Sequence, residues 1–335
     1  MKIGFRSCGT DQCVYLKGSD DNDVYVCLYV DDMIIAAKTS EQIKEIKMAL
    51  KSAFKLKELG EAKFILGMEI YHDRTTGTLM INQTRYVDDV VIRFNQEDAK
   101  AVVNPRETGM KLSKTQSPTT DAEREGMRGN PYRLLIGCLL YITTCTRPKA
   151  AIRVLHYLKT TKDFGIVYSG NNGKVGLEAY TDADWGSNLD DRGSVSGDMI
   201  RFGGVPVVFK SKYQRTVVLS SAEAEYMTLG LCTQEVLCTR AMFKDLGHEQ
   251  VGATQVWEDN QDAIALASNA GYNARTKHVN IRHHFIRENV ARDIITVDFV
   301  GTEDQLADLL TKVLGTKRLK FLVEASGIRL KPAHH

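Results

Sequence analysis

Apolar and polar positions divide the chain into two differently patterned parts. Residues 24–37, VYVCLYVDDMIIAA, form two short apolar runs interrupted only by Asp31 and Asp32. Apolar side chains on both faces predict a buried strand pair turned at the acidic doublet. Thr39 and Gln42 then make a capping-box pattern, and Ile43, Ile46, Leu50, Ala53 and Phe54 recur at helical spacing, so a helix follows the hairpin. Residues 64–71 and 78–81 predict strands flanking a Gly77 turn, after which Tyr86, Val90, Val91 and Phe94 return to the helical period. The first part reads as an α+β unit.

Residues 114–130, KTQSPTTDAEREGMRGN, are polar and turn-rich and predict a surface connection. Helical patterns resume over 132–142 and 152–158, with Pro148 between them to break any continuous helix. The stretch SGNNGKVG, 169–176, marks a second boundary. Beyond it the pattern predicts strands over 177–182, 194–202 and 205–210, a long helix over 222–246, a strand over 254–258 and a helix over 260–268. A strand over 294–300 and a helix over 302–310 complete it. Three hairpin-connected strands followed by alternating helix and strand predict a mixed sheet covered by helices. No internal repeat of about 20–50 residues is present.

Composition narrows the class. The 335 residues predict two domains at ~150 residues each. With 43% hydrophobic and 26% charged residues and six prolines, the chain is globular, which excludes disordered, collagenous and low-complexity classes. Lys plus Arg number 44 against 42 Asp plus Glu, a net charge of +2, so any attraction to nucleic acid or an anionic membrane has to be local. The start, MKIGFRSCGTDQ, has no apolar core of the signal-peptide kind, and no stretch approaches the ~20 apolar residues of a membrane span. The expectation is a soluble intracellular protein, cytoplasmic or nuclear and not secreted. Seven cysteines without a CxxC pair argue against a disulfide framework or a zinc site and predict reduced thiols.

Four acids of the second part occupy unusual places. Asp182 lies inside the first strand of the sheet, where an unpaired charge is costly and a cation is expected nearby. Glu225 lies one turn into the long helix, whose start is marked by the capping pattern Ser220 and Glu223. Asp259 sits between a strand and a helix, and Asp308 sits on the final predicted helix, which Thr302 and Gln305 are expected to cap. Four acids on four elements can converge at one sheet edge, and such a cluster repels itself unless divalent cations bind. A pair of Mg²⁺ ions ~3.5–4 Å apart is the usual clamp for in-line phosphodiester displacement. Taken singly, each acid has a structural explanation as a cap, a dipole partner or a solvated surface group. Asp184 and Glu223 are equally placed to be ligands on spacing alone. The joint order of elements favours the functional reading.

The stretch RTKHVNIRHHFIRENVAR, 275–292, holds five Lys or Arg and three of the eight histidines against one acid, Glu288. Arg275, Lys277, His278, Arg282, His283 and Arg287 are candidate phosphate-backbone contacts, whose binding should weaken with salt. The plainer reading is a solvated helix face with Val279, Ile281, Phe285 and Ile286 turned to the core, and the two are compatible. Adjacent His283 and His284 have no Cys or acid at ligand spacing and are not taken as a metal site. In the first part, Asp31 and Asp32 stand at a hairpin tip, as a pair of metal-binding carboxylates would. The same letters, YVDD, recur at 86–89 in a helical context, where Asp88 and Asp89 read as an exposed face.

These residues carry a resemblance. The block LYVDDMIIAAKTSEQIKEIKMALKSAFKLKELGEAKFILGMEI resembles the palm of copia-type retrotransposon reverse transcriptases. The blocks YTDADW, SKYQRTVVLSSAEAEY, EDNQDAI, KHVNIRHHFIRE and ADLLTK resemble the ribonuclease H domain that follows it in the same polyprotein. The resemblance implies an α/β chain: an α+β palm remnant over 1–113, a shortened thumb or connection over 114–173, and a ribonuclease H-like mixed five-stranded sheet with flanking helices over 174–330. It implies that Asp182, Glu225, Asp259 and Asp308 hold two Mg²⁺ or Mn²⁺ ions, choosing Asp182 over Asp184 and Glu225 over Glu223. It assigns Asp31 and Asp32 to the polymerase metal pair, with Tyr29 and Val30 at the primer end. The implied activity is cleavage of the RNA strand of RNA–DNA hybrids, with nucleic acid as partner and no membrane.

Departures from the family pattern set further expectations. The family's palm has a third catalytic Asp on an earlier strand, together with fingers. This sequence is expected to start partway through the palm, with two carboxylates of a three-carboxylate site and no polymerase activity of its own. At CTRPKAAIRVLHYLK the family has a further helical stretch, so the connection reads as shortened. Phe209 and Tyr213 stand where the family more often has Trp and Lys. The rival expectation is a non-catalytic, degenerate retroelement fragment that at most binds nucleic acid.

Overall fold

The computed structural model describes residues 4–18, 23–105, 113, 115, 117–128, 132–145, 154–170, 176–268 and 277–331, with 126–128, 132, 143–145 and 277–283 described for backbone only. The expected break at Pro148 lies outside the described residues, as do 171–175 of the expected second boundary. The chain divides into two compact units, one of residues 1–65 with 235–251, the other of residues 66–234 with 252–335.

The first unit is an antiparallel sheet of β1 (Arg6–Ser7), β2 (Val14–Lys17), β3 (Val24–Tyr29) and β4 (Asp32–Ala37), in that order. Helix α1 (Ser40–Ala53) follows. Thr39 caps it as the sequence predicts: the Gln42 amide donates to the Thr39 hydroxyl at 3.3 Å and the Thr39 amide to Gln42 Oε1 at 3.1 Å. Ile46 and Leu50 of α1 pack on Val24 and Val26 of β3 as the unit's core. The 235–251 segment is tied in by Asp245, whose carboxylate accepts from the Thr10 amide at 2.8 Å, and by Tyr25, whose hydroxyl donates to the Leu246 carbonyl at 3.0 Å.

The strand expected over 64–71 is interrupted. Between β5 (Phe64–Ile65) and β6 (Met68–Asp73), Leu66 and Gly67 have φ of 52° and 70°, which no extended strand can carry. A Cβ on Gly67 would lie 3.3 Å from the ring of Tyr141, whose hydroxyl donates to the Leu66 carbonyl. β6 pairs with β7 (Thr78–Asn82), and α2 (Thr84–Arg93) follows. The polar stretch read as a surface connection contains an eight-residue helix, α3 (Asp121–Arg128), with the Thr120 hydroxyl accepting from the Glu123 amide. Helices α4 (Tyr132–Cys145) and α5 (Val154–Thr161) pack with α2 around Val87, Leu139, Ile142 and Leu158.

Two strands absent from the sequence expectation join segments from either side of residue 173 in one sheet. β8 (Phe164–Ser169) pairs antiparallel with β7, and β14 (Ile328–Leu330), from the far end of the chain, pairs antiparallel with β8. The β6–β7 hairpin thereby shares a sheet with the chain's last strand.

The remaining sheet has five strands in the order β11-β10-β9-β12-β13. β9 (Leu177–Asp184), β10 (Val195–Phe202) and β11 (Val205–Tyr213) are consecutive and antiparallel. After α6 (Ser221–Asp245), β12 (Thr254–Glu258) lies parallel to β9, and after α7 (Gln261–Ser268) and α8 (Lys277–Ala291), β13 (Ile295–Phe299) lies parallel to β12. This is the mixed five-stranded sheet that the pattern predicts.

The helix expected over 302–310 does not form as one piece. A 3₁₀ turn, Thr302–Asp304, is followed by a four-residue helix, α9 (Asp308–Thr311). Gln305 is the reason: its amide is buried, donating to the Thr181 carbonyl at 2.9 Å and accepting from the Ala307 amide at 3.2 Å, so it cannot serve the expected capping box. A further helix, α10 (Thr316–Ala325), packs Leu319 and Leu322 with Met199, Leu306, Leu309 and Leu310.

Candidate metal centre

Asp182 is built into the central strand β9 and has no solvent exposure. Across the ladder its partner on β10 is Gly197. A Cβ there would fall 2.7 Å from the Thr311 methyl, 2.9 Å from Leu310 Cβ and 3.1 Å from the Ala307 carbonyl, so glycine is what lets α9 close over the strand. That approach delivers the Thr311 hydroxyl to Asp182 Oδ2 and the Lys312 ammonium to Asp182 Oδ1 at 2.8 Å.

Glu225 reaches the same place from α6. Ser220 caps this helix, accepting from the Glu223 amide at 3.2 Å, while the Glu223 carboxylate accepts from the Leu219 amide at 3.0 Å. Glu223 is thus occupied at the helix end, and Glu225, at 6% exposure, projects inward. Asp259 follows the last residue of β12 and accepts from the Thr302 hydroxyl at 3.3 Å. One carboxylate oxygen from each of Asp182, Glu225 and Asp259 lies within 4.8 Å of the others, a group with the geometry to hold a metal ion. Asp184, half-buried at the end of β9, is not in it.

Asp308 is not in that group either. It is buried at the start of α9, where Oδ1 accepts from Lys312 at 2.7 Å and Oδ2 from Arg318 at 2.6 Å. Lys312 therefore bridges Asp308 and Asp182. Burial works against the charge on Lys312, yet the charges and hydrogen bonds of Asp182 and Asp308 outweigh it and raise its pKa. Two residues escaped the sequence reasoning. Lys312 stands four positions after Asp308, the helical spacing of an ion pair, and that signal was available. Glu258, fully buried beside Asp259, falls on the inward parity of β12 with Thr254 and Val256, so strand alternation alone marks it as an acid on the wrong face.

The electrostatics fit a cation of hard, oxygen-preferring type. Burial holds the pKa of Glu225 far above the ordinary carboxylate value, with the charges of Glu258, Asp182 and Asp259 adding to the effect. Glu258 is raised by burial and by Asp259 and Asp182, and Asp182 by burial, with Lys312 and Thr311 partly opposing it. Glu225 Oε2 and Glu258 Oε2 are buried with no hydrogen-bond partner among the described residues. An all-carboxylate donor set with orphaned buried oxygens is what a divalent ion satisfies, and a buried charge left without a partner is expensive.

The hairpin acids differ in every respect. Val30 and Asp31 make a two-residue turn between β3 and β4, Val30 with φ of 50°, a strained value for a β-branched residue. Asp31 and Asp32 are exposed, as are Tyr29 and Val30. They stand on the rim of a cavity of about 500 Å³ floored by Tyr15, Val26, Leu28 and Leu50. Among the described residues no third acid, His or Cys joins them in a group able to hold a metal. At the second YVDD string Val87 is buried in α2 and Asp88 pairs with Lys162 at 3.0 Å.

Of the candidate phosphate contacts, Arg275 lies outside the described residues. Lys277, His278, Arg282 and His283 belong to α8 but lie outside those whose side chains are described. Arg287 is turned inward, its Nε donating to the Leu266 carbonyl at 2.9 Å. Among the described residues no helix is long and apolar enough to cross a membrane.

The fold is thus an α/β one whose mixed five-stranded sheet carries a group of buried acids at one edge. A family profile described as reverse transcriptase (RNA-dependent DNA polymerase) matches residues 1–108. The Pol polyprotein from transposon TNT 1-94 of Nicotiana tabacum is 36% identical over 95% of this chain and 26% of its own length. Those from transposons RE2 and RE1 of Arabidopsis thaliana are 31% and 30% identical over 94% and 99% of this chain, and 22% and 23% of their own lengths. The chain thus spans about a quarter of the length of the curated relatives it matches. Among solved structures, LC11 ribonuclease H1, isolated from compost by a metagenomic approach, is 16% identical with a TM-score of 0.33 over 41% of this chain and 94% of that one. The chain is thus similar over nearly its whole length to retrotransposon Pol polyproteins, and its residues 1–108 match the reverse transcriptase family.

Proposed function

We propose that residues 174–330 form a divalent-metal-dependent ribonuclease H that cleaves the RNA strand of RNA–DNA hybrids, preceded by palm-derived sequence over 1–113 and a connecting segment over 114–173. The observation that carries this reading is the convergence of Asp182, Glu225 and Asp259, from a strand, a helix and a strand end, within 4.8 Å of one another. Two Mg²⁺ or Mn²⁺ ions held there would supply an activated water and stabilise the leaving oxygen. Asp182, fixed by Thr311 and Lys312, and Asp259, oriented by the Thr302 hydroxyl, keep their oxygens aimed at one point. Asp308 is the fourth acid, kept beside the group by its shared ammonium with Asp182. Arg275, Lys277, His278, Arg282 and His283 are proposed to contact the phosphate backbone, which makes binding salt-dependent. Primer extension is not proposed, because Asp31 and Asp32 have no third metal-sharing partner among the described residues.

The test uses the full chain with end-labelled RNA presented single-stranded, as RNA duplex and as RNA–DNA hybrid, in Mg²⁺ and in EDTA. The expected result is metal-dependent cutting of RNA in the hybrid alone. Cleavage that survives Asp182→Asn or Asp259→Asn would overturn the proposal, and hybrid binding in EDTA with no cutting in Mg²⁺ would select a non-catalytic fragment.

A further inference from the structure

Lys312, the last residue of the ADLLTK block, has a place in this centre to which the resemblance gives no role. Its ammonium lies 2.8 Å from Asp182 and 2.7 Å from Asp308, and its side chain keeps 34% of its surface exposed, so it has a way out to water. Asp308 has no exposed surface to speak of, and its other oxygen is taken by Arg318 at 2.6 Å. The three-carboxylate group of Asp182, Glu225 and Asp259 is therefore open to a cation, whereas the space shared by Asp182 and Asp308 already holds a positive charge.

We propose that Lys312 is a positioning residue that occupies the second cation place of the centre, so that without nucleic acid the protein binds one divalent ion and takes a second only when the Lys312 ammonium leaves Asp182 and Asp308. This rests on the metal-binding reading above. The physical basis is that one ammonium and one divalent ion compete for the same two buried carboxylates, whose mutual repulsion some cation has to relieve. Arg318 is placed for a different role, pairing with Asp308 at 2.6 Å and with Glu303 at 3.9 Å. Lys312 thereby keeps Asp308 close to Asp182 in the metal-free protein, at the cost of blocking that place.

Isothermal titration of the full chain with Mn²⁺ alone, without nucleic acid, tests this. The wild-type protein should bind one ion. Lys312→Met should bind two, or bind the first at least about tenfold tighter, the scale of one charge removed beside a bound ion. Its melting temperature without metal should fall while its stabilisation by Mn²⁺ grows. A merely structural ion pair would lower both, and unchanged or weaker Mn²⁺ binding by the variant overturns the inference. Lys312→Arg should behave as wild type. Should Lys312→Met fail to fold, the wild-type protein supplies a second measurement. Acylation of Lys312 by an N-hydroxysuccinimide ester, read by mass spectrometry, should stay slow while Mn²⁺ fills the first place and rise only at Mn²⁺ concentrations far above that, where a second ion competes with the ammonium, and a rate indifferent to Mn²⁺ throughout overturns the proposal. If the wild-type chain binds no Mn²⁺ at all, the ribonuclease reading itself fails; if it binds one ion and the variant does the same, only the role of Lys312 fails.

Discussion

Asp31 with Asp32 and Asp182 with Glu225 and Asp259 are acids of the same chemistry in opposite settings. The first two come from one hairpin, stand in water and require no other part of the fold to exist. The other three come from β9, α6 and the end of β12, and are brought within 4.8 Å of one another against their own repulsion. Burying carboxylates together costs stability, so their convergence asks for a cation in a way that two solvated acids on a turn do not. The repeated YVDD string adds a third setting, in α2, where Asp88 merely pairs with Lys162. Acid identity by itself locates nothing; convergence of buried acids from separate elements does.

The comparison breaks most readily on activity. Asp182→Asn or Asp259→Asn should lower hybrid cleavage at least about 100-fold, given that even residues behind the ligands of metal sites are worth ~10–100-fold. Asp31→Asn and Asp32→Asn should leave the rate unchanged. Steady-state cleavage of labelled hybrid reads both, and loss of cleavage in the hairpin variants would show that the two settings are functionally joined.

Next in size is the packing beneath each setting. Leu310, 3% exposed, lies with Met199 and Leu322 under the strand that carries Asp182 and immediately precedes Thr311 and Lys312. Leu310→Ala should cost about 2–5 kcal/mol in urea unfolding and also weaken Mn²⁺ binding, because α9 loses its seat. Leu50→Ala, in the core of the first unit, should cost a similar amount and leave Mn²⁺ affinity alone. Equal effects of the two on affinity would contradict an independent seat for α9.

Legibility in the sequence followed the range of the forces involved. The caps at Thr39 and Ser220 and the strands over 177–213 rest on local pattern, and they were readable. β8 and β14 were not, because FGIVYS and IRL are short and become strands only by pairing with β7 and with each other. Gly165 shows the dependence: a Cβ there would lie 2.5 Å from the Ile81 carbonyl, so its place is set by a neighbour more than eighty positions away in the chain. Gln305 misled because Thr302 and Gln305 match a capping box, whereas the Gln305 amide is used to hold the Thr181 carbonyl of the central strand. In the centre, the order of elements pointed to acids at these places, whereas choosing Asp182 over Asp184 and Glu225 over Glu223 rested on the resemblance; Glu258 and Lys312 belong to no ligand pattern, and their part lies in the charges they meet.

A smaller effect follows from the raised pKa of Glu225. Burial raises it first and neighbouring acids further, so the folded protein keeps this proton where the unfolded chain, near 4.5, has lost it. The stabilising contribution is then complete below the unfolded value and declines as pH rises toward the folded one. In EDTA the melting temperature should fall between about pH 5 and pH 8, and Mg²⁺ at the upper pH should restore it, since a bound cation favours the carboxylate. Glu225→Gln should flatten the decline. A slope unchanged in that variant would mean that the buried centre is not its source.

The smallest effect separates the two glutamates of the α6 start. Glu223 accepts from the Leu219 amide and its own amide donates to Ser220, so both act on the helix end. Ser220→Ala should cost about 1 kcal/mol, the usual worth of an N-cap side chain, and Glu223→Gln less, with hybrid cleavage kept in each. Glu225→Gln should do the reverse, abolishing cleavage without lowering stability in EDTA, because the amide is neutral, as is the protonated carboxyl that the folded protein keeps beside Glu258, Asp182 and Asp259. If Glu223→Gln abolished cleavage while Glu225→Gln did not, the group built from Asp182, Glu225 and Asp259 would be the wrong set of ligands, and spacing alone would again leave the choice open.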